Sequence, residues 1–373
     1  MTSDPAAARS VLSAYGLPGS ARLTPVSGGH INQSWKVAPE IAGRGESYLL
    51  QRLNPLVFQD GEGVMRNLAH VSAHLQRAAG RLGLSQPERR LVRLVPTAVG
   101  APAVQAADGA WWRLVYFIEG TRVWDQADTV ALAREAGTAF GLFQRMLADY
   151  AGPPLAETIP GFHDTAARLE QLDRAAVRDH RRRGAVLESE LAFVRKRAGY
   201  ATVLPPLLAG GDLPTRVVHN DAKISNVLLD EQTGEGLAVI DLDTVMSGTL
   251  LHDVGDLIRS TASPTAEDER DLSRITVRLP FIAGLAEGFL RAGGAELTEA
   301  ERGLFAFAGI LITFEQGVRF LTDHLAGDAY YRIARAGQNL DRCRAQFRLV
   351  ERLEERRGDI ERTIGRIGVT GER

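Results

Sequence analysis

Between Leu23 and Phe117 the apolar positions fall in short runs that half alternate with polar ones and are broken by Gly and Pro, among them Ser34 to Ala38, Tyr48 to Leu53 and Trp111 to Ile118. Alternation with period two buries one face of a strand, so this stretch is predicted to form an antiparallel sheet. One interval departs from it. From Gly61 to Leu82 the apolar residues Val64, Leu68, Val71 and Leu75 recur at three-to-four spacing, which predicts a single helix laid on the sheet. After Glu119 and Gly120 the period changes, and long helical patterns cover Thr129 to Tyr150, Thr165 to Tyr200, Ala266 to Arg291, Thr298 to Leu325 and Tyr330 to Ile364. Within that helical half, Arg216 to Val218 runs into His219 and Gly236 to Ile240 runs into Asp241, two short β-branched strands that each deliver a charged or polar residue at their end. Asn226 to Asp230 makes a third extended piece, and Glu231 to Glu235 has the makeup of a hairpin turn. The expectation is an α+β chain of two lobes: a small antiparallel-sheet lobe over 1–118 and a larger helical lobe over 119–373.

Length agrees with two lobes, since 373 residues exceed the size at which one core usually stops growing. Lys and Arg number 44 against 46 Asp and Glu, so no basic field gathers nucleic acid or anionic lipid, and a small-molecule partner is expected. The Arg-rich stretches at Arg181 to Arg183 and Arg195 to Arg197 read as solvated helix faces. The longest apolar run, Leu304 to Phe314, is far shorter than the ~20 residues that cross a bilayer, and is expected as a buried core helix. Met1 to Gly19 lacks the basic and apolar regions of a secretory signal, so a cytoplasmic location is expected, where the lone Cys343 is a structural thiol. Only three lysines occur, Lys36, Lys196 and Lys223.

The candidate chemistry lies in His219-Asn220-Asp221-Ala222-Lys223-Ile224-Ser225-Asn226, which sets an Asp five residues before an Asn directly after a strand. Phosphoryl transfer to an alcohol needs a carboxylate to take the hydroxyl proton and oxygen ligands to hold magnesium on the phosphates. Kinase catalytic loops use this spacing. Asp241 follows an apolar strand where a kinase fold places its metal-holding acid, with Asp243 as a second carboxylate. Each residue alone is an ordinary turn or helix cap; together they predict a bilobal protein-kinase-like fold with Asp221 as base, Lys223 reaching the transferred group, and Asn226, Asp241 and Asp243 as metal ligands. His219 is expected to hold the loop. Departures from a protein kinase are equally informative. No G-x-G-x-x-G occurs, and the nearest glycine turn is Ser27-Gly28-Gly29-His30. The third-strand Lys is missing, with Gln51 or Arg52 in its place, and the helix from Gly61 offers only Glu62 for a clamp. No Ala-Pro-Glu segment follows Asp241, so a protein substrate is not expected.

These residues are similar to the aminoglycoside phosphotransferase superfamily, and within it resemble the N-acetylhexosamine 1-kinases. The resemblance is carried by Gly29-His30-Ile31-Asn32, Leu50-Gln51, His219-Asn220-Asp221-x-Lys223, Ile240 to Met246, Asp253-Val254-Gly255-Asp256-x-Ile258-Arg259, Arg319 to Asp323, and Gly327-Asp328-x-Tyr330. It covers nearly the whole chain. It implies ATP- and magnesium-dependent phosphorylation of the anomeric hydroxyl of a sugar such as N-acetylglucosamine or N-acetylgalactosamine. By the same resemblance His30, Arg319 and Tyr330 line the sugar pocket; Asp256 and Arg259 either contact sugar or pair with each other. Gly28, Gly29, Gln51 and the connector residues Phe117 and Ile118 are expected at the nucleotide, the connector through its backbone. Ser260 stands where that family has a bulky aromatic, which predicts a shorter pocket wall and altered sugar preference. A monomer is expected. The alternatives are a kinase of the same superfamily for another alcohol, such as homoserine, choline or an aminoglycoside, and a catalytically silent nucleotide-binding regulator.

Overall fold

The computed structural model describes residues 5–26, 31–38, 45–178, 187–293 and 297–369, which fall into two compact units. The first comprises residues 1–122 together with 149–160 and 228–246. Its sheet runs β1 (Arg22–Pro25), β2 (Gln33–Ala38), β3 (Tyr48–Arg52), β6 (Trp111–Tyr116) and β4 (Leu94–Val95), every pairing antiparallel, with β5 (Val104–Gln105) also on β6. Period-two alternation aims Trp35 and Val37 of β2, Leu50 of β3 and Trp112 and Leu114 of β6 into one core, where the two indoles stack at 5.5 Å. The helix Gly61–Arg81 starts at Asp60, whose carboxylate accepts from Gly63 N at 2.8 Å, and buries Val64, Leu68, Val71 and Leu75 as its spacing predicts.

The division differs from a single cut at 118/119, because two later segments return to the first unit. Buried Asn67 on the Gly61–Arg81 helix explains both returns. Its Nδ2 donates to Ala156 O at 2.8 Å and Val245 O at 3.3 Å, and its Oδ1 accepts from Ala156 N at 2.9 Å. The strand Gly236–Val239, which leads into Asp241, thereby belongs with the sheet unit, where Arg89 also pairs with Asp230 at 2.9 Å.

The second unit, residues 123–148, 161–227 and 247–373, is helical. Phe305–Ala326 is buried over almost its whole length against Leu250–Ala262, Thr165–Val177 and Gln338–Val369, as expected of the apolar run within it. Three helical predictions need correction. The Ala266 to Arg291 pattern becomes helix only at Leu279, since the Arg278 guanidinium ties the approach by donating to Ala127 O, Thr261 O and Ser263 O at 2.9–3.0 Å. The Tyr330 to Ile364 pattern becomes helix only at Gln338. Gly327 (φ 105°) ends the preceding helix, and the Asp323 carboxylate accepts from the backbone N–H groups of Ala329, Tyr330 and Tyr331, holding a loop that lasts to Gly337. The Thr165 to Tyr200 pattern divides into Thr165–Val177 and Glu188–Arg197; Arg181 to Arg183 lie outside the described residues.

The helices Val130–Leu147 and Leu279–Gly293 approach each other closely. A Cβ placed on Gly137 would lie 2.1 Å from Leu285 O, and one on Gly288 2.1 Å from Arg134 O. Backbone meets backbone there, so no side chain fits. We expect Gly137→Ala to destabilise the chain by about 1–3 kcal/mol, the usual cost of overpacking. Equilibrium urea unfolding measures this, and an unchanged midpoint would show that the two helices separate freely.

Candidate active site

In the helical unit the catalytic loop hangs from a buried carboxylate. Asp253, on Leu250–Ala262, is 0% exposed and accepts from His219 N at 2.9 Å and Asn220 N at 2.7 Å, while Gln144 Nε2 donates to it at 2.7 Å. The His219 ring lies edge-on to Phe140 and Phe143, which share the helix of Gln144, and His219 Nδ1 accepts from Asp221 N at 3.2 Å. Holding the loop is thus what His219 does. Asn220 takes a left-handed conformation (φ 63°) unusual for a non-glycine residue. The twist lets its N–H point at Asp253 and its carbonyl at His163 Nε2, 2.8 Å away.

Asp221 itself receives Lys223 Nζ at 2.8 Å and Asn226 Nδ2 at 3.1 Å on Oδ2. Burial opposes its charge, but Lys223, His219 and Arg259 outweigh burial and hold the carboxyl below the ordinary range, so it is ionised near neutrality. Asn226 Nδ2 also donates to Asp221 O at 2.8 Å. With its amide nitrogen turned inwards, Asn226 keeps Oδ1 without a donor among the described residues, as an oxygen ligand for magnesium requires.

Behind the loop sits an ion pair that sequence reasoning missed. His163 Nδ1 is 2.7 Å from Glu315 Oε1, and Thr165 Oγ1 donates to Glu315 Oε2 at 2.6 Å. A carbonyl and a carboxylate can only accept, so both His163 nitrogens carry protons. The neighbouring His252 ring, 4.4 Å from His163, is held down to about 3 by burial and by that charge, and stays neutral.

The residues expected at the acceptor divide. Arg319 is partly buried, with Gln316 Oε1 at 3.0 Å and the Phe162 ring at 4.8 Å, within electrostatic reach of Asp221. Tyr330 is exposed on the Asp323 loop, its ring 4.8 Å from Tyr331. Asp256 and Arg259 pair with each other at 2.6 Å, and Arg259 also reaches Glu267 at 2.7 Å. Ser260 Oγ accepts from Ile224 N at 3.4 Å, which places this small residue against the catalytic loop. Gly28, Gly29 and His30 lie outside the described residues.

In the sheet unit Asp241 ends its strand in a left-handed turn (φ 62°) with an exposed side chain. Asp243 is 2% exposed, and both its oxygens are engaged: Oδ1 by the Arg113 guanidinium and Oδ2 by Asn32 Nδ2 at 2.6 Å. Arg113 lies opposite Gln51 in the β3–β6 register and donates from Nε to Gln51 Oε1 at 2.9 Å, while Gln51 Nε2 donates to Ser34 Oγ at 3.1 Å. Burial opposes the Arg113 charge, but Asp243 and then Asp241 outweigh it and raise its pKa. Arg113 is thus a buried cation beside the third strand. In the connector, Phe117 N donates to Ser47 O at 2.9 Å and Ile118 O accepts from Thr121 Oγ1 at 2.7 Å. Both residues line a cavity with Lys36, Arg93, Tyr116 and Glu119.

The family model of the APH phosphotransferase enzyme family matches residues 22–304, well over half of the chain. The chain belongs to this phosphotransferase family. Among solved structures, a microcompartment-associated aminopropanol kinase is 15% identical, with a TM-score of 0.58 over 96% of this chain and 99% of that one. An aminoglycoside phosphotransferase from Alicyclobacillus acidocaldarius is 15% identical (TM-score 0.56, 91% and 92% covered), and a Plasmodium vivax ethanolamine kinase 12% identical (TM-score 0.56, 91% and 86% covered). At such identities the likeness shows the fold, and the phosphotransferase has the α+β kinase-like architecture expected from its pattern.

Two signals in the phosphotransferase sequence pointed at the missed residues: Arg113 is a charge inside the apolar strand Trp111 to Tyr116, and Glu315 is an acid inside the apolar helix Phe305–Ala326. The Glu315 pair has a pH signature. Burial opposes the His163 imidazolium, but Glu315 and the Asn220 carbonyl raise its pKa above 6.5; burial likewise opposes the Glu315 charge, and His163 and Thr165 hold it down to about 2. A raised histidine contributes stability in full below its unfolded pKa and loses it as pH rises through the folded one; a depressed carboxylate contributes above its unfolded pKa and loses it as pH falls. The phosphotransferase is therefore expected to lose stability as pH rises above 6.5, and Glu315→Gln to flatten that slope. Urea midpoints from about pH 5 to about 9 measure it, and an unaltered slope in the variant would assign it to another group.

Proposed function

We propose that this phosphotransferase moves the γ-phosphoryl group of ATP to the hydroxyl of a small molecule, with Asp221 as general base, and that the acceptor is the anomeric C1 hydroxyl of an N-acetylhexosamine or related sugar. The observation that carries the first part is the ionised Asp221, fixed through His219 and Asn220 to buried Asp253 and flanked by Lys223 and by Asn226 with its oxygen open. The sugar assignment rests on the resemblance of the Asp-Leu-Asp-Thr and Arg-Phe-Leu segments. Arg319, which has no carboxylate within 4.0 Å among the described residues and lies within electrostatic reach of Asp221, disfavours cationic acceptors such as the amino alcohols named for two of the solved relatives.

In the reaction the acceptor oxygen forms a bond to the γ-phosphorus as the bond from that phosphorus to the β,γ-bridging oxygen breaks. Asp221 takes the hydroxyl proton, and ADP leaves. Asn226 Oδ1 and Asp241 would be the ligands for magnesium, which when bound would neutralise charge on the phosphates. Asp243 positions Arg113, whose guanidinium takes over the phosphate contact of the missing third-strand Lys. The base of the nucleotide would meet the Phe117 carbonyl and the Ile118 N–H, since the Phe117 N–H and the Ile118 carbonyl are already engaged.

The test is ADP release over reducing sugars, amino alcohols and aminoglycosides, with phosphorus NMR on the product. An anomeric phosphate is expected, and Asp221→Asn should lower kcat by roughly 10²- to 10⁴-fold. Turnover with an amino alcohol alone would remove the sugar assignment; ATP binding with no turnover on any alcohol would favour a regulator. Arg113→Lys keeps a charge against Asp243 but loses the fork to Gln51. We expect it to raise KM for ATP by ~10- to 100-fold, the worth of a charge-assisted hydrogen bond, with the acceptor KM unmoved. An unchanged KM for ATP would confine Arg113 to a structural role.

A further inference from the structure

The helical unit holds two guanidinium groups for which the mechanism above has no counter-charge. Arg168, on Thr165–Val177, donates from Nε and Nη2 to Phe162 O at 3.2 and 2.9 Å and from Nη1 to Gln171 Oε1 at 3.0 Å. Arg319, on Phe305–Ala326, lies over the ring of the same Phe162 and donates to Gln316 Oε1. Both are partly buried, and they are close enough to repel each other, which with burial lowers the pKa of Arg168. Most arginines of the unit have a carboxylate within 4.0 Å; among the described residues neither of these two does. The acids within electrostatic reach are already matched. Glu315 is engaged through both oxygens and neutralised by His163, and Asp221 carries Lys223. Tyr330 and Tyr331 also face Arg319, but a tyrosine is neutral near pH 7, and Tyr331 is pushed up to about 12. Two positive charges therefore remain beside the loop that carries the base.

Withdrawing a guanidinium from water without a counter-ion is unfavourable, and its planar fork fits a carboxylate or phosphate with two parallel hydrogen bonds. We propose that Arg168 and Arg319 form an oxyanion subsite, so that the alcohol phosphorylated at Asp221 carries a carboxylate or phosphate group held by the two guanidinium groups. Phe162 and Tyr331 give that subsite its aromatic wall. This deepens and rests on the phosphoryl-transfer reading: the acceptor is an acidic sugar or another acidic alcohol, and its charge supplies the missing partner.

The experiment uses the full chain and a matched series: N-acetylglucosamine, its uronic acid and its 6-phosphate. Calorimetric titration is expected to show at least one charged form bound tenfold or more tightly than the neutral parent. The uronic acid and the phosphate arms tell which oxyanion fits. Arg168→Gln should remove most of that preference and Arg168→Lys should restore part of it; Arg319→Gln is the second variant if Arg168→Gln does not fold. Equal binding of all three, no binding of any, or a charge preference indifferent to both arginines overturns the subsite. ADP release measured on the same series separates the two claims. Turnover of the neutral sugar with no gain from charge would leave phosphoryl transfer standing without the subsite. Charge-selective binding with no turnover would do the reverse.

Discussion

A single carboxylate organises the catalytic loop. Asp253 is shut off from water and accepts from two consecutive backbone N–H groups, those of His219 and Asn220, with Gln144 completing its shell. Burial raises the pKa of that carboxyl, the hydrogen bonds from His219 N, Asn220 N and Gln144 oppose the shift, and making them dictates the twist at Asn220 and with it the direction of Asp221. The helix that supplies Gln144, Phe140 and Phe143 is itself pressed backbone to backbone on Leu279–Gly293. The placement of Asp221 is thus inherited from a glycine-lined helix crossing through one hydrogen-bonded acid.

The same economy recurs with opposite emphasis in the two units. In the sheet unit Asp243 is buried with Arg113; in the helical unit Glu315 is buried with His163. Neither acid is free to react. Each fixes a cation, and each cation carries on to a further group: Arg113 to Gln51 on the third strand, His163 to the Asn220 carbonyl next to Asp221. Beyond any stability it contributes, each pair orients its cation.

Much of this was legible in the residues. The alternation in Ser34 to Ala38, Tyr48 to Leu53 and Trp111 to Ile118 marked the sheet, and the Val64, Leu68, Val71, Leu75 spacing marked its helix, because both patterns record a local choice of buried face. Ala266 to Arg278 and Tyr330 to Gly337 misled for the complementary reason: their periodicity is helical, but Arg278 and Asp323 bind the backbone in other shapes, and such side-chain ties join positions far apart in sequence. The return of 228–246 to the sheet unit through Asn67 was hidden in the same way. At the candidate site the motif drew attention to the loop around Asp221, whereas the partners of Asp243, Gln51 and Ser260 join positions far apart in sequence and are properties of packing.

Gln51 and Arg113 constrain each other's replacement. A neutral amide at 51 is what lets a guanidinium occupy the neighbouring register position. Restoring lysine at 51 would set two cations side by side with Asp243 between them, and replacing Arg113 first would strand Asp243. Positions 51 and 113 are therefore coupled, and the effect of changing one depends on which residue stands at the other.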